Sequence, residues 1–154
     1  GDHRDLHSFP TRRSSDLSMW DEWEGPYIQE LAELVHSKDT MVMIHNCGDG
    51  IYFKEQIARM HPQAISTLFL PPDCKTMEEC KEKYGDQITI IGSIPPSNIV
   101  TDTEEQIRAE CRREIDAYKK NGGFILSTGC EYPAQLPDHY ARVIVEEART
   151  YGKY

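Results

Sequence analysis

A histidine and a cysteine stand two residues apart in His45-Asn46-Cys47, at the end of an apolar run, and a further cysteine follows a later apolar run in Gly129-Cys130. One imidazole and two thiolates are a donor set suited to a borderline-soft ion such as zinc. A protein that supplies only three ligands leaves a fourth position for water or a substrate, which points to catalysis rather than to a structural staple. Zinc bound to a substrate thiol favours the nucleophilic thiolate over a thiol whose free pKa is about 8.5. Glu131, beside Cys130, is the candidate either for the fourth position until substrate displaces it or for a hydrogen bond to a ligand. Ser93, Pro95 and Asn98 follow another apolar run and are candidates for lining the pocket.

The other cysteines have plainer uses. Cys111 falls on the apolar face of a helix, Cys80 reads as a small hydrophobe in the same way, and Cys74 sits as a bystander in a loop after Pro71-Pro72-Asp73. His61 and His139 stand at helix ends and read as surface residues. The total of five cysteines is odd and contains no CxxC pair, which fits a reducing compartment better than a disulfide framework.

The elements that must position these residues are legible in the hydrophobic pattern. Tyr27, Ile28, Leu31, Leu34 and Val35 repeat at helical spacing, and residues 40–44 then form an apolar strand. Phe53, Ile57 and Met60 predict a helix ending near His61-Pro62, followed by a strand over 64–70 closed by Pro71-Pro72. A short helix over 77–84 precedes a strand over 88–91. Thr103 with Gln106 makes a capping box, Ile107, Cys111, Ile115 and Tyr118 share one face, and Gly122-Gly123 stop that helix. Residues 124–127 form the fourth strand, and Pro137 opens a last helix with Tyr140, Val143, Ile144, Ala148 and Tyr151 along one stripe.

Strands that alternate with helices predict parallel β/α units, because parallel neighbours need a crossover and a helix is the usual one. Four such units make an α/β fold equal to half of a (β/α)8 TIM barrel. The rival is a doubly wound open sheet, but no GxGxxG follows a strand, and the candidate ligands all follow strand C-termini, where barrels keep their active sites.

Residues 1–17, GDHRDLHSFPTRRSSDL, resemble a translated short-read sequencing adapter and are expected to be a scar outside the fold, leaving 18–154 as the barrel-half domain. The acids Asp2, Asp5 and Asp16 cancel Arg4, Arg12 and Arg13, so the net charge of -9 belongs to the remainder. An adapter joined in frame also suggests that the chain is the C-terminal part of something longer. The acidic balance argues against nucleic acid, and no apolar run approaches the ~18 residues of a membrane span. With nothing like a signal peptide, a cytoplasmic location without membrane attachment is expected.

The stretches MVMIHNCGDG, ITIIGSIPPSNIV and GGFILSTGCEYP resemble the C-terminal half of the uroporphyrinogen decarboxylase superfamily, specifically its corrinoid-linked methyltransferase branch. The resemblance implies a (β/α)8 barrel and zinc held by His45, Cys47 and Cys130. It also implies a small corrinoid protein carrying methylcobalamin as partner, and a thiol such as coenzyme M, or a pterin such as tetrahydrofolate, as methyl acceptor. True decarboxylases of the superfamily usually have a histidine near the position of Cys130, so a cysteine there favours the methyltransferase branch. A metal-free lyase, and a half-barrel left inactive by its uncovered sheet edges, are the other readings.

Overall fold

Helical periodicity and apolar strand runs resolve into an ordered series of β/α units. The computed structural model describes residues 14–153, with side chains from Ser18 onward. The elements are α1 (Ser14–Trp23), α2 (Gly25–His36), β1 (Met43–Asn46), α3 (Phe53–Met60), β2 (Ala64–Thr67), α4 (Met77–Tyr84), β3 (Thr89–Ile94), α5 (Pro96–Thr101), α6 (Glu104–Tyr118), β4 (Phe124–Thr128) and α7 (His139–Thr150). Most of the adapter-like stretch therefore lies outside the described residues, and its end runs into the first turn of α1.

The sheet has the order β1-β2-β3-β4 and every pairing is parallel, so all C-terminal strand ends lie on one side, as in half of a (β/α)8 barrel. Both clusters of buried apolar residues form where strands meet helices. Ile65, Ile90 and Phe124 pack with Phe53, Tyr84, Ile115 and Tyr118 in one. Ile94 packs with Ile99, Ile107, Cys111, Val143 and Ile144 in the other. The helix α6 joins the clusters, and its start carries both halves of the Thr103/Gln106 capping box. Glu147 of α7, 2% exposed, is neutralised by Arg108 at 2.8 Å and Arg112 at 2.7 Å, which fastens α7 against α6.

Several boundaries differ from the sequence reading. β1 begins at Met43 rather than Thr40, because its ladder begins where β2 is available, with Met43 opposite Ala64. Just before it, Gln63 bridges the strands through Val42: its side-chain oxygen accepts from Val42 N at 2.7 Å and its own N–H donates to Val42 O at 2.9 Å. Met43 shares with His45 the face of β1 turned away from the helices, which is why it remains exposed despite its apolarity. β2 stops at Thr67, whose hydroxyl turns the chain by donating to Phe69 O at 2.6 Å. The turn at Pro95-Pro96 is the start of α5, and α7 opens at His139, two residues beyond Pro137. Among the described residues, no helix is long and apolar enough to cross a membrane.

Ile90 is fully buried on the central strand β3, whereas Ile125 on the edge strand β4 is 52% exposed. Ile90→Ala should therefore cost about 2–5 kcal/mol of unfolding free energy in urea titration, and Ile125→Ala about 0.5 kcal/mol. Similar losses at both positions would contradict a core confined to the helix-covered face.

Candidate metal centre

Strand alternation decides where His45 points. Asn46 at the end of β1 is buried on the helix-covered side, so His45, one residue earlier, belongs to the opposite face and is exposed. Asn46 is a polar side chain at a core position, and it is paired: its amide donates to Gln56 Oε1 at 2.7 Å and its carbonyl accepts from Gln56 Nε2 at 2.9 Å. These two buried hydrogen bonds tie the end of β1 to α3 immediately before Cys47. His45 is itself steadied by Ser66, its partner in the β1–β2 register, with Nδ1 3.1 Å from Ser66 Oγ. A proton on Nδ1 donated to Ser66 leaves Nε2 as the free lone pair, the arrangement that orients metal-binding imidazoles.

Cys130 arrives from the far edge of the sheet. Beyond β4 the chain turns at Gly129, whose N–H donates to Ile94 O at 2.9 Å. A side chain at Gly129 would lie 2.8 Å from Leu68 Cα and 3.0 Å from Ser93 O, so only glycine lets the turn pass this close to its neighbours. The Thr128 hydroxyl then donates to Cys130 O at 2.6 Å, setting the direction of the cysteine.

The result is convergence. The donor atoms of His45, Cys47 and Cys130 all lie within 4.8 Å of one another. Donors around a tetrahedral zinc stand roughly 3.5–3.8 Å apart, given the bond lengths for nitrogen and sulfur. The donor set thus fits zinc with only small side-chain rotations. The two thiols also differ in setting from the remaining cysteines. Burial pushes the Cys80 and Cys111 thiols up to about 12, so these act as small apolar groups. Cys74, in the loop before α4 and outside the ligand group, is buried in the same cluster as Cys80.

Other expected site residues are not brought to this point. Glu131 is exposed and stands outside the ligand cluster. Ser93 turns its hydroxyl to Glu114 Oε1 at 3.1 Å, and its N–H donates to Glu114 Oε2 at 2.5 Å, which engages it with α6 instead of the cleft beside His45. Asn98 lies on α5, where its side-chain oxygen accepts from Ser97 Oγ at 3.4 Å. Neither Ser93 nor Asn98 lines that cleft. His61 is exposed and ends α3 in a left-handed conformation, and His139 pairs on the surface with Glu104 at 2.8 Å.

The cleft, of 510 Å³, opens beside His45 and Cys47, with Trp20 and Trp23 of α1 and Ile51, Tyr52 and Glu55 after the metal-ligand turn among its walls. The sequence reading passed over it, as it passed over Ser66, Gln56 and Glu114. Gln56 and Glu114 did carry a signal: each interrupts an apolar helical stripe, and a polar side chain at such a position must find a buried partner.

The chain matches the family model described as Uroporphyrinogen decarboxylase (URO-D) over residues 15–151. No curated protein is a significant match to it.

Two outcomes are expected from this geometry. A short bifunctional thiol reagent should bridge Cys47 to Cys130 in the native chain, and Gly129→Ala should abolish the bridge by displacing the turn; peptide mapping of the product identifies the pair. Bridging unaffected by Gly129→Ala would contradict the role given to the glycine. The second outcome concerns Glu114, whose carboxyl burial pushes up from the ordinary 4.5 to about 7 against the opposing hydrogen bonds from Ser93. The folded chain then binds more protons than the unfolded one between 4.5 and about 7, so stability falls as pH rises through that interval and levels off above it. Glu114→Gln keeps an acceptor for the Ser93 N–H and should remove that component of the slope in urea midpoints measured against pH.

Proposed function

The chain belongs to the uroporphyrinogen decarboxylase family, and within it we propose that the protein acts in zinc-dependent methyl transfer from a corrinoid protein to a small thiol. The family is one of enzymes that includes decarboxylases and methyltransferases. The observation that carries the choice between them is the meeting of His45, Cys47 and Cys130 at the C-terminal ends of β1 and β4. A metal-free lyase has no use for two thiols and an imidazole gathered at one point.

In this reading His45, Cys47 and Cys130 would hold the ion, and Ser66 would steady the imidazole through Nδ1. The ion supplies preference for the thiolate form of the acceptor, and the corrinoid partner supplies the methyl group. Glu131 stands outside the ligand cluster, so an acceptor thiol would not have to displace it. Asn46 and Gln56 hold the Cys47 turn in place, and Gly129 does the same for Cys130. A corrinoid partner would supply an electrophilic methyl group, and an acceptor thiol that has lost its proton would be the nucleophile for it. The free cysteines fit a reducing compartment, and we assign the protein to the cytoplasm.

Elemental analysis tests the metal directly. Protein purified with zinc should carry about one ion per chain, as expected of a single three-ligand site. Cys47→Ser and Cys130→Ser should lose most of it, while Cys111→Ser retains it. Equal zinc content in all three variants would overturn the assignment.

A further inference from the structure

The cleft beside His45 and Cys47 has a composition that discriminates among acceptors. Trp20, Trp23 and Tyr52 present aromatic surface to it, and Glu24 and Glu55 bring carboxylates to its walls. Among the described residues that line it there is no lysine or arginine. Neither Glu24 nor Glu55 has an ion-pair partner among the described residues. Arg59 lies over the Trp20 ring at 5.0 Å and is paired with Asp21 at 2.6 Å, outside the cleft lining.

Aromatic faces attract cations through the ring quadrupole, and they do so best where water is partly excluded. Carboxylates at the rim add attraction for the same charge and repel an anion. The ligand set works in the same direction: two thiolates already neutralise a divalent ion, so a bound substrate thiolate leaves the centre with net negative charge. A sulfonate or carboxylate tail would meet this charge together with Glu24 and Glu55, with no cation among the described lining residues to offset them. A quaternary ammonium tail would meet only complementary surface.

We propose that this cleft binds an alkylammonium headgroup, so that the acceptor presented to the metal centre is a small thiol with a cationic tail. The headgroup site stands on the cleft alone, whereas the thiol end rests on the metal-dependent methyl transfer proposed above.

Choline and 2-hydroxyethanesulfonate, matched in size and opposite in charge, separate the two parts when titrated into the full chain with tryptophan fluorescence as readout. Choline should bind saturably and at least ~10-fold more tightly than the sulfonate, as expected where cation–π and carboxylate attraction combine. The Glu24→Gln/Glu55→Gln double variant, with an unchanged circular dichroism spectrum and thermal midpoint, should lose most of that preference, and Trp23→Ala should weaken choline binding. Equal or tighter binding of the sulfonate, or an unchanged preference in the double variant, overturns the headgroup site. A second titration uses cobalt(II)-loaded chain and follows the sulfur-to-cobalt charge-transfer band. Thiocholine should raise the band at lower concentration than 2-mercaptoethanesulfonate. The reverse order overturns the cationic acceptor while the metal centre stands. Absence of the band with either thiol, beside intact choline binding, instead overturns the thiol-activating reading and leaves the headgroup site in place.

Discussion

The two-residue period of β1 is the constraint from which the centre follows. A strand can bury only one of its faces against helices, and β1 gives that face to Ile44 and Asn46. His45 must then stand on the other face, and Cys47 leaves the strand at its C-terminal end. A slip of one residue would bury His45 and expose Asn46, and the paired amides of Asn46 and Gln56 oppose it because each would lose two buried hydrogen bonds. The same register sets His45 opposite Ser66, which orients the imidazole. One pairing choice thus fixes a candidate ligand, its hydrogen-bond partner and the turn that carries the next candidate.

The second half of the centre depends on the opposite edge of the sheet. Cys130 follows β4, three strands away from β1 in the order of the sheet, and reaches His45 and Cys47 because the turn at Gly129 crosses close over Leu68 and Ser93. β3 supports that crossing through the hydrogen bond from Gly129 N to Ile94 O. Glu114 holds the end of β3 from the helix side through Ser93. The buried carboxylates of α6 and α7 therefore do different work. Glu147 is held ionised by two arginines and joins helices, while burial shifts Glu114 toward its protonated form against the hydrogen bonds from Ser93.

Charge is distributed unevenly around the site. Thiols elsewhere in the chain are withdrawn into apolar surroundings, and those at the centre are left where an ion and a substrate can reach them. The cleft adds aromatic rings and the carboxylates of Glu24 and Glu55 on the β1 side of the centre. Family membership fixes the kind of scaffold, and the selection among its chemistries falls to these few side chains.

The sequence by itself determined the kinds and order of the elements. The stripe Ile107, Cys111, Ile115 and Tyr118 lies buried on α6, and the Thr103/Gln106 cap starts that helix, because periodicity and capping depend on residues only a few positions apart. Alternating helices and strands likewise implied parallel pairing, and the ligand types at His45, Cys47 and Cys130 were visible as chemistry. Only the tertiary structure decided that β1 starts at Met43, that Ser93 answers to Glu114, that Glu131 stays outside the ligand cluster, and that α1 walls the cleft. Each of these is a meeting of segments distant along the chain. Such meetings depend on how strands pair and how helices pack across the sheet, and local spacing carries no record of either.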